Sequence, residues 1–412
     1  MTNQADLNST ASANRIHIAF FGCRNAGKSS IVNAVTGQDL SVVSEVKGTT
    51  TDPVTKSMEL LPLGPVVIID TPGFDDVGML GELRVRKARQ ILNRADIAVL
   101  VVDAVAGMQP YDTLLLQLFK EKQIPHLVVW NKKDLLHAAG KAPDEEGVGQ
   151  NTVYASALTG EGIGELKERL GALMPKEDVS HTVTDGLVGP GQIAVLVCPI
   201  DKAAPKGRLI MPQQMTIRSI LDAGGTAVIT RETELAATLG SMKDDPAIVI
   251  TDSQVFGPVG QMVPERIPLT SFSILMAKYK GFLESAVKAV SVLKTLKDRD
   301  RILMAEGCTH HRQCGDIGTV KIPAMLRRHT GADLRIETCS GRDFPEDLSS
   351  YSLIIHCGGC MITEREVLAR MRCAADQGIP FTNYGIAIAQ MTGILERSIR
   401  VFPGIHALLE SE

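Results

Sequence analysis

The sequence predicts an α/β protein of three successive regions, a P-loop nucleotide-binding domain followed by a small α/β domain and a second, cysteine-bearing α/β domain. Three observations carry this. Short β-branched runs alternate with helical patterns along most of the chain. A glycine-rich phosphate loop, Gly22-Cys23-Arg24-Asn25-Ala26-Gly27-Lys28-Ser29, directly follows the first of those runs. Five of the eight cysteines, Cys308, Cys314, Cys339, Cys357 and Cys360, fall within 53 residues near the ends of later strand candidates.

In order, Ile16 to Phe21, Val66 to Ile69, Ile97 to Val102 and His126 to Val129 read as buried parallel strands of a domain over 15–175, after a disordered tail over 1–14. The polar break at Met174 to Ser180 and the glycines at 186, 189 and 191 separate it from a domain over 185–265. There the pattern gives a strand Ile193 to Cys198, a helix Gln213 to Leu221 and strands Thr226 to Thr230 and Ala247 to Ile250. The third domain, 270–412, opens with a helix over Phe282 to Leu296 and continues through strands Arg301 to Ala305, Leu334 to Thr338, Ser352 to His356 and Phe381 to Tyr384.

Composition bounds the function. With 412 residues, 44% apolar and 22% charged, the chain is globular rather than disordered, collagenous or coiled-coil. No apolar run approaches the roughly 18 to 20 residues that cross a bilayer, and Met1 to Asn14 holds no apolar signal core. A cytoplasmic protein without membrane association is expected. A net charge of -4 gives no general attraction to nucleic acid. The cationic run Arg84, Arg86, Lys87, Arg89 reads as a solvated helix face rather than an RNA patch. Eight cysteines in this length are too dilute for a disulfide scaffold, and their crowding suggests metal.

The phosphate loop has a mechanical reading. Gly22 and Gly27 let backbone amides curl around phosphates, Lys28 reaches the β and γ oxygens, Ser29 offers a hydroxyl to magnesium, and Ser30 joins the same turn. Asp70-Thr71-Pro72-Gly73 ends the next long strand, where the carboxylate can hold magnesium through water and the Gly73 amide can meet the γ phosphate. Asn131-Lys132-Lys133-Asp134 follows a later strand, and the Asp134 carboxylate can accept two hydrogen bonds that guanine supplies and adenine does not. Ser156-Ala157 would bring backbone amides to the guanine O6. Four motifs in this order predict a GTPase that uses GTP, GDP and Mg2+.

This stretch resembles the GTPases of the tRNA-modifying MnmE and Era branch over about the first 170 residues. The resemblance makes Gly48-Thr49-Thr50-Thr51-Asp52 the first switch, with Thr50 a magnesium ligand, and it makes Asn25 a support for K+ and hence for potassium-stimulated hydrolysis. Lys28, Thr50 and Gly73 are the expected catalytic set. Phe74 stands where Ras-like proteins place the water-positioning glutamine, so slow intrinsic hydrolysis is expected.

Cys308-Thr309-His310 closes one strand candidate and His356-Cys357-Gly358-Gly359-Cys360 closes another, with 45 residues between the two histidines. Neighbouring parallel strands bring their carboxyl ends together, so the two clusters can converge. The C-x-x-C spacing suits two thiolates on one centre, and three thiolates with imidazoles nearby fit either an iron–sulfur cluster or tetrahedral zinc. Cys198 and Cys373 sit in apolar runs and read as core residues. Cys314 could supply a fourth thiolate or be an exposed loop thiol.

The spacing C-x-H, then H-C-x-x-C, downstream of a GTPase domain resembles the HydF family of FeFe-hydrogenase maturation GTPases, as does Pro205-Lys206-Gly207-Arg208-Leu209-Ile210-Met211-Pro212-Gln213. The resemblance implies a 4Fe-4S cluster on Cys308, Cys357 and Cys360, with His310 and His356 as further members of the motif and one iron open or exchangeably ligated. It also implies a dimerising middle domain and a transient diiron precursor of the H-cluster as cargo. The implied partners are radical SAM maturases and apo FeFe-hydrogenase. Two other functions compete: a ribosome- or tRNA-associated GTPase with a structural zinc domain, and a metalloenzyme using the cluster as a Lewis acid.

Overall fold

The computed structural model describes residues 15–37, 53–61, 63–72, 80–138, 151–173, 182–200, 209–307, 316–341 and 343–410. The expected N-terminal tail, and the residues Thr50, Gly73, Phe74, Cys308, His310 and Cys314, lie outside them. The chain forms two compact units, Met1–Glu177 and Asp178–Glu412.

The first unit is built on a six-stranded sheet of β1 (Ile16–Phe21), β2 (Val54–Leu60), β3 (Gly64–Asp70), β4 (Ile97–Asp103), β5 (His126–Asn131) and β6 (Thr152–Tyr154), in the order β2-β3-β1-β4-β5-β6. Only β2 runs antiparallel, against β3. The central strands are apolar at nearly every position because both faces are covered. Ile18 and Phe20 of β1 pack with Ile31, Val32, Leu166 and Leu170, whereas Ala19 and Phe21 pack with Ala88, Leu92, Leu115 and Phe119 on the other face. On the helix Leu80–Leu92, Arg86 and Arg89 are exposed.

The second unit holds two four-stranded parallel sheets. β7 (Ile193–Val197), β8 (Thr226–Thr230), β9 (Ile248–Thr251) and β10 (Leu269–Ser271) form the order β10-β9-β7-β8. β11 (Arg301–Glu306), β12 (Arg335–Ser340), β13 (Leu353–His356) and β14 (Phe381–Asn383) form the order β12-β11-β13-β14. One hydrophobic core joins them, from Val195 and Ile250 of the first sheet to Leu303 and Ile355 of the second. Arg397, on the helix Leu395–Ile399, ties it to the last turn of the helix Phe256–Met262 and the residues that follow, donating to the carbonyls of Gly260 (2.9 Å), Val263 (2.8 Å) and Pro264 (2.7 Å).

Three strands escaped the sequence pattern. β2 is an edge strand exposed at most positions, with Lys56 and Glu59 among its side chains, so it shows no apolar signature. β6 and β10 have three residues each, too short for periodicity. The single helix expected over Phe282 to Leu296 is instead a helix Leu283–Ala289 running into a 3-10 turn Val290–Lys294.

Candidate functional site

The phosphate loop joins β1 to the helix Lys28–Thr36. Gly22 has φ 151 and Gly27 φ 82, and a Cβ would lie 2.3 Å from the Val101 carbonyl oxygen at the first and 2.1 Å from Asn131 Nδ2 at the second. Both positions therefore demand glycine for space as well as for backbone angle. Asn25 shares the left-handed region at φ 62, which asparagine tolerates better than most residues. The Asp70 carboxylate at the end of β3 gathers the Lys28 ammonium and, at 2.8 Å, the Ser29 hydroxyl. The two groups assigned to phosphate and magnesium are thus held at one point. The strand end is itself fixed, since the Thr71 hydroxyl donates to the Phe20 carbonyl at 2.7 Å.

Asn131 is 3% exposed and clamps three motifs together. Its Nδ2 donates to the Ala26 carbonyl at 2.9 Å, and its Oδ1 accepts from the Ala157 amide at 3.1 Å. It therefore ties the phosphate loop to the segment after β6. Asp134 is held by the Ser156 hydroxyl at 2.6 Å through one carboxylate oxygen. Lys132 reaches the Asp103 carboxylate at 2.6 Å, and the Lys133 ammonium lies 2.7 Å from Glu161. Lys28, Ser29, Asp70, Asn131, Asp134 and Ser156-Ala157 accordingly line the carboxyl ends of the parallel strands, where open α/β sheets bind ligands.

Sequence reasoning missed Asp112. It is 1% exposed, in the first turn of the helix Pro110–Glu121, and accepts from the Gln109 amide at 3.0 Å and from the Cys23 thiol at 3.4 Å. Burial pushes its carboxyl above the ordinary range, against the pull of those donors. Asp112 thus ties the phosphate loop to the helix after β4. Asp112→Ala is expected to cost about 1–3 kcal/mol, through the donors left unpaired, and to weaken nucleotide binding. Unchanged GDP affinity and melting temperature in the variant would refute that.

In the second unit, Cys357 and Cys360 follow β13. The Cys357 amide donates to the Ala305 carbonyl of β11 at 2.8 Å, which draws the cysteine loop onto the neighbouring strand. Its thiol accepts from the amides of Gly307 (3.1 Å) and Gly359 (3.4 Å). Gly359 has φ 66, and a Cβ there would sit 2.9 Å from Val367. Past Cys360 the chain enters the helix Glu364–Asp376, capped by Thr363, whose hydroxyl accepts from the Glu366 amide at 3.2 Å. Lys280, 2% exposed, donates to the Ile362 carbonyl of this loop at 2.9 Å.

His356 is completely buried, and both its ring nitrogens are engaged within the protein. Arg370 Nη1 lies 3.2 Å from Nε2, and a guanidinium can only donate, so Nε2 accepts and Nδ1 carries the proton given to the Cys357 carbonyl at 2.7 Å. Burial first, then the Arg370 charge, pushes the imidazole down to about 3. His356 is thus a neutral strut under the cysteine loop. Burial also pushes the Cys357 thiol up, opposed by the two amides and Arg370, and it pushes Cys339 up to about 11. Cys198 is a core residue, 5% exposed, whereas Cys373 is half-buried.

Arg370 was invisible to motif reading, yet it left a trace: it shares the spacing of Val367 and Ala374 on the buried stripe of its helix, where a charge is out of place. Among the described residues no three His, Cys, Asp or Glu side chains gather as a metal site. Cys308 follows Gly307 directly in sequence.

Sheet order, phosphate loop and base-pocket clamps define the first unit as a P-loop GTPase domain, and residues 17–132 match the family model described as 50S ribosome-binding GTPase. Residues 183–281 match the hydrogen maturase F dimerization domain and 284–401 the hydrogen maturase F tetramerization domain. The chain belongs to the hydrogen maturase F, or HydF, family of hydrogenase maturation GTPases. The tRNA modification GTPase MnmE of Legionella pneumophila (strain Paris) is 36% identical over 174 residues, 42% of this chain and 36% of that protein. The GTPase Der of Kosmotoga olearia is 31% identical over 218 residues, covering 49% of each. The chain thus spans between about a third and a half of the length of these relatives. Among solved structures, the FeoB G-domain of Methanococcus jannaschii aligns at 27% identity and a TM-score of 0.30, over 39% of this chain and 97% of that one. No helix among the described residues is long and apolar enough to cross a membrane.

Proposed function

We propose that this hydrogenase maturation GTPase is a scaffold and carrier: it holds a 4Fe-4S cluster on Cys308, Cys357 and Cys360, assembles the diiron precursor of the H-cluster with radical SAM maturases, and delivers it to apo FeFe-hydrogenase. The observation that carries this reading is the cradle at Cys357. Two backbone amides point at one half-buried sulfur at the carboxyl end of a parallel sheet, donors that work against the burial that pushes its thiol up and that suit a metal-ligating sulfur. A bound cluster would supply an iron with an exchangeable coordination position. The chain's own residues supply the rest: Gly307 and Gly359 amides stabilise the ligating sulfur, His356 and Arg370 fix the loop from beneath, and Lys280 fixes its far end.

In the GTPase domain, Lys28 binds the phosphates, and Ser29, Thr50 and Asp70 hold magnesium. Asp134 selects guanine, while Asn25 supports K+ and with it the stimulation of slow hydrolysis. Nucleotide state acts as a switch through the loops around Thr50 and Gly73. We assign 15–175 to GTP, 185–265 to dimerisation and 270–412 to the cluster, in a cytoplasmic homo-oligomer that binds neither nucleic acid nor membrane.

Iron, sulfide and zinc analysis with EPR after anaerobic reconstitution tests the reading in the wild type, Cys308→Ala and Cys314→Ala. A reducible 4Fe-4S signal that requires Cys308 and survives loss of Cys314 is expected. Stoichiometric zinc without a competent cluster would sink the carrier function and favour a structural-zinc GTPase.

A further inference from the structure

Tyr384 is the first residue of the helix Tyr384–Met391, placed there by Asn383, whose side chain accepts from the Ile386 amide at 2.8 Å and donates to the Ser273 carbonyl at 3.1 Å. The tyrosine is 6% exposed, and its hydroxyl is buried without a hydrogen-bond partner among the described residues. A buried hydroxyl in that condition costs about 1–3 kcal/mol, and phenylalanine would fill the same space without the penalty. The hydroxyl is therefore an expense that contacts among the described residues do not recover.

Its surroundings say what it faces. A Cβ on Gly318 would lie 2.3 Å from the Tyr384 hydroxyl and 2.8 Å from Glu306 Oε1, so hydroxyl and carboxylate both close on residue 318, an approach that only glycine permits. Glu306 ends β11 and precedes Gly307, whose amide donates to the Cys357 thiol. His356 of β13 is in register with Asn383 of β14, so Cys357 and Tyr384 leave neighbouring parallel strands side by side. The phenol thus stands beside the cysteine loop and, as a neutral O–H, has a proton to donate.

We propose that the Tyr384 hydroxyl is a hydrogen-bond donor reserved for the inorganic group held at Cys357, and that it donates to a sulfur of that cluster. The inference rests on the iron–sulfur reading above and deepens it by naming a positioning and tuning residue outside the cysteine motif. A donor to cluster sulfur spreads the charge added on reduction and so raises the reduction potential.

The test compares wild type with Tyr384→Phe, each as the full chain, before and after anaerobic reconstitution. The apo variant should melt at the wild-type temperature or above, because no partner loses a bond. It should load the same iron and sulfide, titrate at a more negative midpoint potential, and lose one strongly coupled deuteron signal in ENDOR after exchange into D2O. A loaded variant with wild-type potential and an unchanged deuteron signal overturns the proposal. An apo variant that melts lower also overturns it, since the hydroxyl would then serve the protein itself. Failure of the underlying reading is separately visible: wild type that binds only zinc, or no metal, shows it before any variant is compared and removes this proposal with it.

Discussion

Lys28→Ala is expected to reduce GTP hydrolysis by roughly 10²- to 10³-fold or more while leaving iron uptake at the wild-type level. The first half follows from placement. Lys28 is 7% exposed, its ammonium lies on the Asp70 carboxylate, and the same carboxylate takes the Ser29 hydroxyl. Removing a preorganised charge aimed at developing phosphate charge costs about 10²–10³ in rate in comparable sites. The second half follows from separateness: Lys28 belongs to the compact unit Met1–Glu177, and Cys357 and Cys360 belong to Asp178–Glu412. Single-turnover phosphate release, mant-GDP binding and iron content decide it. Hydrolysis within a factor of two of wild type would remove Lys28 from the catalytic set. Loss of iron in the variant would show that the cluster depends on an intact nucleotide site.

The legible parts of this molecule are those in which local sequence and tertiary role coincide. The strands β1, β4 and β5 announce themselves because burial on both faces makes them continuously apolar, and the phosphate loop does so because it needs glycine twice within six residues. The reason for one of those glycines was not legible: Gly27 is glycine partly because Asn131, more than a hundred residues away, occupies the space of its Cβ. Asn131 shows the same limit from the other side. Its motif foretold a nucleotide pocket, but its role as the clamp between Ala26 and Ala157 emerges only when β5 lies near the loop after β1.

At the cysteine loop the spacing of Cys357 and Cys360 was readable, and the groups that condition Cys357 were not. The Gly307 amide has no side-chain signature, Tyr384 opens an apolar helix like any core aromatic, and Arg370 belongs to a helix whose other charges are ordinary. Each acquires meaning from parallel strands that bring residues about 50 and 80 positions apart to one edge.

Arg370→Met should be the most destabilising single change near the loop, by about 3–5 kcal/mol in urea unfolding of the second unit. The guanidinium donates to the Gly341 carbonyl and to Glu366, both at 2.6 Å, meets His356 Nε2 at 3.2 Å and lies over the Phe344 ring at 5.2 Å. With side chains 6% and 12% exposed, Arg370 and Glu366 form a buried pair, and methionine keeps the stem while leaving the carboxylate stranded. The double variant Glu366→Met with Arg370→Met should recover part of the loss, because the orphaned anion is then gone as well. The pH dependence supplies an independent check. His356 is depressed to about 3 by burial and then by Arg370, so the folded wild type binds fewer protons here than the unfolded chain and loses stability as pH falls from about 6.5 toward 3. Without Arg370 the second cause disappears, the imidazole moves back toward its ordinary range, and the acid loss becomes smaller. The variant's deficit should therefore narrow on acidification. A deficit below about 1 kcal/mol, or one constant between pH 7 and 4, would show that the guanidinium neither sustains Glu366 nor holds His356 neutral.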